Sequence, residues 1–341
     1  MILGWDLGGA HVKLAALDEQ GHLVRAVQTP CRLWLGSDQL AEALRALGAG
    51  DAHTHRHALT MTGELVDHFP NRAAGVAAIL DTFERVVARR DAMVFAGTGF
   101  TGTDVARTRW HDVASANWRA TLLLAARLVD AALVLDVGST TTDLMLVANG
   151  TPVDPSQNDH DRLAARTLVY SGVVRTPLMA LAQRVPFGGR DVGVMAEYFA
   201  TSADVYRISG ELDAAFDHAD TADGRGKSPA ESTARLARMV GLDAADATVS
   251  QWVALAAWFA RAQEQLLLEA CERQLARNCI PADAPVVGLG VGRFLAAKLA
   301  ARLGRRFITF ATLAGVAADD ANAVDVCGPA YAVARLALDA T

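Results

Sequence analysis

The distribution of apolar and polar positions predicts a chain in which strands and helices alternate. Short apolar runs, each about the length of a strand, lie at residues 2–5, 12–17, 23–27, 58–61 and 92–96. Stretches with apolar residues at helical spacing lie at 37–47, 71–89 and 112–128. Such alternation is typical of α/β proteins.

The middle of the chain has a polar interruption between two apolar runs. Residues 131–148, AALVLDVGSTTTDLMLVA, predict two strands joined by a short polar turn. The chain that follows is richer in helical patterns. The predicted elements there are helices at 202–208, 250–277, 293–303 and 328–338, a strand at 286–289, and a polar, glycine-rich loop at 217–228.

The N-terminal hairpin and the central hairpin share one pattern. The first contains DLGGAHVK at residues 6–13 and the second contains DVGSTTTD at residues 136–143. In each, an acidic residue ends one strand, and glycine and small residues form the turn to the next. The copies lie roughly 130 residues apart, which indicates a duplicated pair of α/β domains facing a cleft.

The repeat sets the expected division of the chain. We expect a first domain over residues 1–130 and a second domain over residues 131–341. Residues 320–341 are expected to pack back onto the first domain. A helical insertion around residues 155–280 is expected in the second.

Both turns combine residue types that suit phosphate. Glycine permits positive φ and a close approach of the backbone, so that N–H groups and hydroxyls form a nest for an anion. A carboxylate at the strand end suits Mg²⁺ binding or proton transfer, so Asp6 and Asp136 are predicted to face each other across a metal–polyphosphate site. Lys13 would add a positive charge. The predicted phosphate-binding residues of the turns are Gly8, Gly9, Lys13, Gly138, Ser139, Thr140, Thr141 and Thr142.

A third glycine-rich element follows the strand predicted at 286–289. Gly288, Gly290 and Gly292 lead into a helix, and the N-terminus of a helix is a common place for nucleotide phosphates. Together, the order of the three motifs resembles that of the actin, sugar-kinase and Hsp70 ATPase superfamily. The resemblance implies two ribonuclease-H-like domains and a nucleotide between them.

A narrower resemblance extends over nearly the whole chain. Within the hydantoinase/oxoprolinase group, the sequence resembles proteins linked to tetrahydromethanopterin-dependent one-carbon transfer, and in particular the methanofuran/methylofuran aryl-ether synthases. The blocks that carry it are LTMTGEL (59–65), ASANW (114–118), YSGVVRTP (170–177), ADVYR (203–207) and TADGRGKS (221–228). This implies condensation of an (aminomethyl)furan-methanol diphosphate with the phenol of a γ-glutamyl-tyramine or tyrosine unit, with release of diphosphate.

That reaction implies further site residues. A carboxylate must take the proton of the phenol, and Asp6, Glu64 and Asp143 are the candidates, with Asp136 completing the catalytic set. The implied substrate-binding residues are Asn117, Arg175, Asp204, Arg207, Arg225 and Lys227. Simpler roles stay open: Glu64 as a helix cap, the arginines as members of surface ion pairs, and Lys227 as a solvated charge.

Composition narrows the class of partner. Lys and Arg number 32 against 38 Asp and Glu, a net charge of −6, which argues against a broad nucleic-acid surface. The four cysteines include no CxxC pair, so a zinc site or a disulfide framework is not expected. No apolar run has the length of a membrane span and no signal peptide is visible, so we expect a cytoplasmic protein without membrane contact. The expected partners are small molecules, and a homodimer through the alanine-rich helices is compatible with the pattern.

Two other functions compete with the synthase. The phosphate motifs alone fit an ATP-dependent kinase of small molecules or a hydantoinase-like amidohydrolase, and a non-catalytic nucleotide-binding module is the third possibility. Mg²⁺ is the expected cofactor in every catalytic case. ATP is the less favoured ligand, because the narrower resemblance implies diphosphate as a leaving group.

Overall fold

The computed structural model describes residues 1–51, 55–88, 91–153, 156 and 158–340. The strands are β1 (Ile2–Leu7), β2 (His11–Leu17), β3 (Leu23–Pro30), β4 (Arg56–Met61), β5 (Met93–Ala96), β6 (Gly99–Thr101), β7 (Ala131–Val137), β8 (Thr142–Ala148), β9 (Thr151–Pro152), β10 (Leu168–Val169), β11 (Arg184–Phe187), β12 (Arg190–Gly193), β13 (Val286–Leu289) and β14 (Phe307–Thr309).

The α-helices alternate with these strands. They are α1 (Ser37–Ala46), α2 (Arg72–Val87), α3 (Thr103–Thr108), α4 (Trp110–Val113), α5 (Asn117–Leu128), α6 (Asp159–Ala165), α7 (Ser202–Ser209), α8 (Pro229–Arg238), α9 (Val249–Leu275), α10 (Arg293–Arg302), α11 (Phe310–Leu313), α12 (Ala318–Val326) and α13 (Gly328–Asp339). The α/β class predicted from the apolar pattern is confirmed.

One predicted helix is interrupted. The expected helix over 112–128 is wrong in its first turns, because α4 ends at Val113 and α5 begins only at Asn117. Ser115 between them has a φ of +52°, a left-handed conformation that a right-handed helix of L-residues does not contain. The predicted end of another helix, Arg89, lies outside the described residues.

The chain divides into two compact units, of which the first comprises Met1–Val134, Met145–Arg162 and Ile308–Thr341. Its sheet has the order β3-β2-β1-β4-β5-β6. Strand β1 pairs antiparallel with β2 and parallel with β4, which places Asp6 between Lys13 and Thr60. The acidic residue therefore lies at the carboxyl end of a central strand.

Strand β1 is buried along its whole length because helices cover both of its faces. Leu3, Trp5 and Leu7 belong to an apolar core that includes residues of α1 and α2. On the other face, a Cβ on Gly4 would lie 2.1 Å from the carbonyl oxygen of Ala330 in α13. Only glycine at this position lets α13 approach the strand so closely.

The second unit comprises Leu135–Leu144 and Leu163–Phe307. The sheet that contains β7 and β8 has the order β10-β8-β7-β13-β14, and β9 also pairs with β8. The turn between β7 and β8 belongs to this second unit. The long helix α9 is tied to α7 by a hydrogen bond of 2.7 Å from the Tyr206 hydroxyl to Gln263 Oε1. The Gln263 amide in turn donates to Ser171 Oγ and to the carbonyl of Gly172, each at 2.8 Å.

The domain boundary expected at residue 130 stays a prediction. Within the first unit, α13 packs against β1, β2 and β4. None of the helices in the described ranges has the length and apolar character of a membrane span.

Candidate functional site

The two repeated turns share a backbone hydrogen bond at the same position. In the first, the N–H of Gly8 donates to the carbonyl of His11 at 3.0 Å. In the second, the N–H of Gly138 donates to the carbonyl of Thr141 at 2.8 Å. Each bond closes a tight hairpin turn two residues after the strand-end aspartate, so the correspondence seen in the sequence extends to the local structure.

The first turn keeps its lysine close to its aspartate. Lys13 Nζ lies 3.6 Å from the carboxylate of Asp6, whose side chain is 5% exposed. The backbone of Gly63, just after the end of β4, lies close to the turn. A Cβ on Gly63 would be 3.0 Å from the carbonyl of Leu7. A Cβ on Gly9 would lie 2.6 Å from Val66. Lys13 thus balances the buried carboxylate as well as carrying charge to this turn.

The second turn offers a row of hydroxyls at partly exposed positions. Ser139, Thr140 and Thr141 are half-buried, whereas Thr142 is fully buried. The hydroxyl of Thr142 donates to the carbonyl of Ser171 at 2.7 Å. The structure therefore gives Thr142 an internal contact and leaves residues 139–141 as the hydroxyls suited to an anion.

The segment that follows β10 packs directly on this turn. The N–H groups of Val173 and Val174 donate to the carbonyls of Gly138 and Ser139 at 3.1 and 3.0 Å. A Cβ on Gly172 would lie 2.5 Å from the backbone of Ser139, so a side chain there is excluded. Arg175, a predicted substrate-binding residue, is held beside the turn because its N–H also donates to Ser139.

The three glycines before α10 serve close packing. A Cβ on Gly290 would lie 2.3 Å from the carbonyl of Val137 and 2.6 Å from Oδ1 of Asp136, and Gly290 has a φ of +87°. A Cβ on Gly292 would meet Val137 at 2.5 Å, and one on Gly288 would meet Phe307 at 2.5 Å. These contacts account for the glycines without a nucleotide, and their predicted phosphate contact stays a prediction.

Glu64 lies next to the first turn and is buried. Its side chain is 1% exposed. The backbone of α2 packs closely against it, since a Cβ on Gly75 would lie 2.5 Å from the carbonyl of Glu64. Burial raises the pKa of the Glu64 carboxyl, the neighbouring Asp159 acts in the same direction, and Ser115 and Arg72 oppose it. Glu64 therefore holds its proton to higher pH than an exposed glutamate does.

A chain of polar contacts links Glu64 to the start of α6. Ser115 Oγ lies 2.9 Å from Glu64 Oε1 and 3.0 Å from Asp159 Oδ2. Arg72 Nη2 donates to the same Asp159 oxygen at 2.7 Å. The structure thus brings together two of the sequence blocks, TMTGEL and SANW, and adds two charged residues that the sequence analysis did not single out.

Asp159 and Arg72 had no distinguishing sequence signal, because both belong to patterns that are common on helix surfaces. Ser115 lies within the ASANW block, whose pattern does not mark its hydroxyl as functional. Its left-handed backbone is the one feature that marks it, since such a conformation in a non-glycine residue is often found at functional sites.

Two predicted substrate-binding residues belong to a buried ion network in the second unit. Arg207 donates to both carboxylate oxygens of Asp217, at 2.7 and 2.8 Å. Asp204 caps α7 and accepts from Arg207 at 3.1 Å and from Arg235, which is fully buried, at 2.8 Å. These contacts hold the segment 217–228 to α7 and α8, so the alternative of a surface ion pair is wrong for Arg207, whose partners are buried.

The other predicted substrate-binding residues are more accessible. Lys227 contacts the backbone carbonyl and the carboxylate of Asp217, and its side chain is 37% exposed. Arg225 is exposed on the same loop. Asn117 begins α5, and its carboxamide oxygen accepts from the N–H of Trp118 at 2.8 Å. Asp143 pairs across the sheet with Leu168 of β10 and is half-buried.

The acidic residues suit a metal that arrives with its phosphate. Over the residues that the structure describes, no group of three or more His, Cys, Asp or Glu side chains is arranged to hold a metal ion. Mg²⁺ is usually bound by one or two carboxylates together with substrate phosphates, and its preferred donors are hard oxygens. A single strand-end aspartate, Asp6 in the first unit or Asp136 in the second, fits that mode of binding.

Comparison with known proteins shows what the chain is similar to. The hydantoinase/oxoprolinase family model matches residues 55–323. A (4-{4-[2-(gamma-L-glutamylamino)ethyl]phenoxymethyl}furan-2-yl)methanamine synthase from Methanocaldococcus jannaschii is 32% identical over 245 residues, which cover 71% of this chain and 72% of that protein. The synthase of the same name from Methanococcus vannielii is 27% identical over 137 residues, 40% of this chain and 61% of that protein.

Among solved structures, a nucleotide-free structure of acetone carboxylase has a similar fold. The TM-score is 0.59 at 12% sequence identity, and the match covers 96% of this chain and 70% of that chain. The likeness concerns the fold alone, and it agrees with the α/β class predicted from the sequence.

The packing of Gly290 predicts a large loss of stability on substitution. In Gly290→Ala, the new Cβ would overlap the Val137 carbonyl in addition to straining the backbone, and we expect a loss of about 2–5 kcal/mol in the free energy of unfolding. Gly304→Ala is the matched control, since Gly304 has a φ of +65° with open space around it, and only the backbone cost of about 1–2 kcal/mol applies. Denaturant unfolding of both variants measures the difference, and equal losses would contradict the close approach.

The raised pKa of Glu64 predicts how stability depends on pH. Folding favours the protonated carboxyl of Glu64, so this group contributes to the stability of the folded protein. The contribution is complete below the unfolded-state pKa of Glu64 and is lost as the pH rises through its folded-state pKa. Glu64→Gln mimics the protonated form and has no proton to lose. We therefore expect the Tm of the wild type, relative to that of the variant, to fall as the pH is raised. A difference that does not change with pH would contradict a raised pKa.

Proposed function

The chain belongs to the hydantoinase/oxoprolinase family, and we propose that within it this protein is an aryl-ether synthase of methanofuran-type cofactor assembly. The proposed reaction joins an (aminomethyl)furan-methanol diphosphate to the phenol of a γ-glutamyl-tyramine or tyrosine unit and releases diphosphate. The observation that carries the proposal is the 32% identity to the M. jannaschii synthase over 71% of this chain. The product named for that relative contains an ether between a phenol ring and a furan-methyl carbon.

The reaction makes defined demands on the protein. The phenol oxygen forms a bond to the furfuryl carbon, the bond from that carbon to diphosphate breaks, and the electron pair leaves with diphosphate. Negative charge therefore develops on the leaving group, and pre-oriented donors stabilise it most. In the second unit, the hydroxyls of Ser139, Thr140 and Thr141 are the proposed donors, and in the first, Lys13 supplies positive charge beside its turn.

Mg²⁺, when bound with the diphosphate, would neutralise part of this charge. It would be held by a strand-end carboxylate, Asp6 or Asp136. For the acceptor, the proposed contact is between the glutamate carboxylate and an arginine, because guanidinium groups bind carboxylates in a bidentate manner. The exposed Arg225 suits this contact better than Arg207, whose donors are directed to Asp217 and Asp204.

The direct test offers the purified protein Mg²⁺ with the furan diphosphate and γ-glutamyl-tyramine, separately and together. We expect diphosphate release and a new aryl ether, detected by mass spectrometry, only when both organic substrates are present. ATP with Mg²⁺ is the comparison reaction. Turnover of ATP without need of a furan diphosphate, and no ether from the pair, would overturn the proposal in favour of a kinase or amidohydrolase.

The hydroxyl row gives a second prediction. A hydrogen bond to a charged group contributes about 1.5–3 kcal/mol, so Ser139→Ala should lower kcat/KM for the furan diphosphate by roughly 10- to 150-fold. Ser250→Ala removes an exposed hydroxyl at the start of α9 in the same unit and should leave kcat/KM unchanged. If both variants retain wild-type kinetics, the second turn does not bind the leaving group.

A further inference from the structure

Asp159, at the start of α6, has one carboxylate oxygen held by two other side chains. Arg72 Nη2 at 2.7 Å and Ser115 Oγ at 3.0 Å both contact Oδ2. Oδ1 accepts no hydrogen bond from the residues that the structure describes. The Asp159 side chain is 15% exposed, whereas Glu64 at the far end of the contact chain is 1% exposed. Asp159 is thus the accessible end of the chain of contacts.

The Ser115 hydroxyl joins the two carboxyl groups. It lies within 3.0 Å of both and carries one hydrogen, so it donates to one of them at a time. Arg72 also donates to Oδ2 of Asp159, so two side chains from different elements set the position of that carboxylate.

A second observation points to a ligand near this chain of contacts. Oε2 of Glu64 is buried and has no hydrogen-bond partner among the described residues. A buried carboxyl oxygen without a partner is costly, and such atoms in native structures mark places where a ligand or water completes the site. Glu64, which bears this carboxyl, directly follows Gly63, and Gly63 packs against the first turn.

We propose that Asp159 is the base that takes the proton of the phenol, and that Ser115 and Arg72, with Glu64 behind Ser115, are positioning residues that hold its carboxylate in place. This inference rests on the proposed function. The phenol hydrogen moves to Oδ1 of Asp159 as the phenol oxygen bonds to the furfuryl carbon and diphosphate leaves with the electron pair. Asp159 then releases the proton to water, which restores the carboxylate.

Asp159→Asn is the decisive variant, because it keeps the shape of the side chain and removes its basicity. We expect kcat to fall by about 10²–10⁴-fold with γ-glutamyl-tyramine, the usual contribution of a general base, while KM for the furan diphosphate stays unchanged. With a polyfluorinated phenol acceptor that is already ionised at the assay pH, the loss should shrink to about threefold or less, because no proton remains to be removed. A merely structural role would lower both rates equally.

Asp81→Asn is the matched control, since Asp81 forms an ion pair with Arg107 at 2.6 Å in the same unit and is 64% exposed. It should retain wild-type kinetics with both acceptors. Thermal unfolding of both variants establishes that the Asp159→Asn protein is folded.

Ser115 provides an independent readout through the choice of acceptor. Without the hydroxyl, the Asp159 carboxylate loses one of its two anchoring contacts, so kcat with γ-glutamyl-tyramine should fall, and the loss should shrink with the polyfluorinated phenol. Ser115→Ala and Ser115→Gly both remove the hydroxyl, and glycine also relieves the left-handed backbone, so the same dependence on the acceptor in both separates this effect from strain.

The outcomes distinguish the two proposals. Ether formation by the wild type, with equal losses for both acceptors or no loss in Asp159→Asn, would overturn the role of Asp159 and leave the synthase function standing. No ether from the wild type would overturn the synthase function, and the assignment of Asp159 with it.

Discussion

Close packing of backbone on backbone around the second turn is the constraint on which that part of the structure depends. The turn at residues 136–141 is contacted by the segment after β10 and by the segment before α10, and both approach so closely that Gly172 and Gly290 have no room for a Cβ. N–H groups of the two segments donate hydrogen bonds to backbone carbonyls in and beside the turn. These hydrogen bonds engage backbone carbonyls of the turn. The hydroxyls of residues 139–141 are partly exposed and can contact groups other than the protein backbone.

Buried charge organises the helical part of the second unit. Arg235 is fully buried and Asp204 is almost so, and together with Arg207 and Asp217 they form ion pairs at 2.7–3.1 Å. Loss of one partner from such a network is strongly destabilising, because the remaining charge is left uncompensated in a low dielectric. The network therefore gives the 217–228 segment fixed anchor points, and the conformation of this polar loop follows from α7 and α8.

The first unit uses buried polar groups differently. Here the buried Glu64 carboxyl, the Ser115 hydroxyl and the Asp159 carboxylate lie in sequence, and Asp159 is paired with Arg72. The alternation of apolar runs predicted β1 to β5 of its sheet and the helices α1, α2, α5 and α13, since burial of a strand or a helix face leaves a period that can be counted. The shorter elements β6, α3 and α11 were not predicted, and neither was α12. It did not predict the break at Ser115, because Ala-rich sequence on either side favours helix and the left-handed residue is imposed by its contacts.

Local pattern and similarity were enough to establish the α/β class, the repeated aspartate–glycine turns and the family resemblance, and they predict a phosphate site at those turns. Only folding determines which of those residues keep side-chain groups available. Thr142, Arg207 and Asp204 have the same chemistry as their neighbours in the motifs, yet burial and internal partners give them structural contacts. Asp159 and Ser115 acquire their relation to Glu64 through the fold, since their separations in the chain, 95 and 51 positions from residue 64, leave no pattern to read.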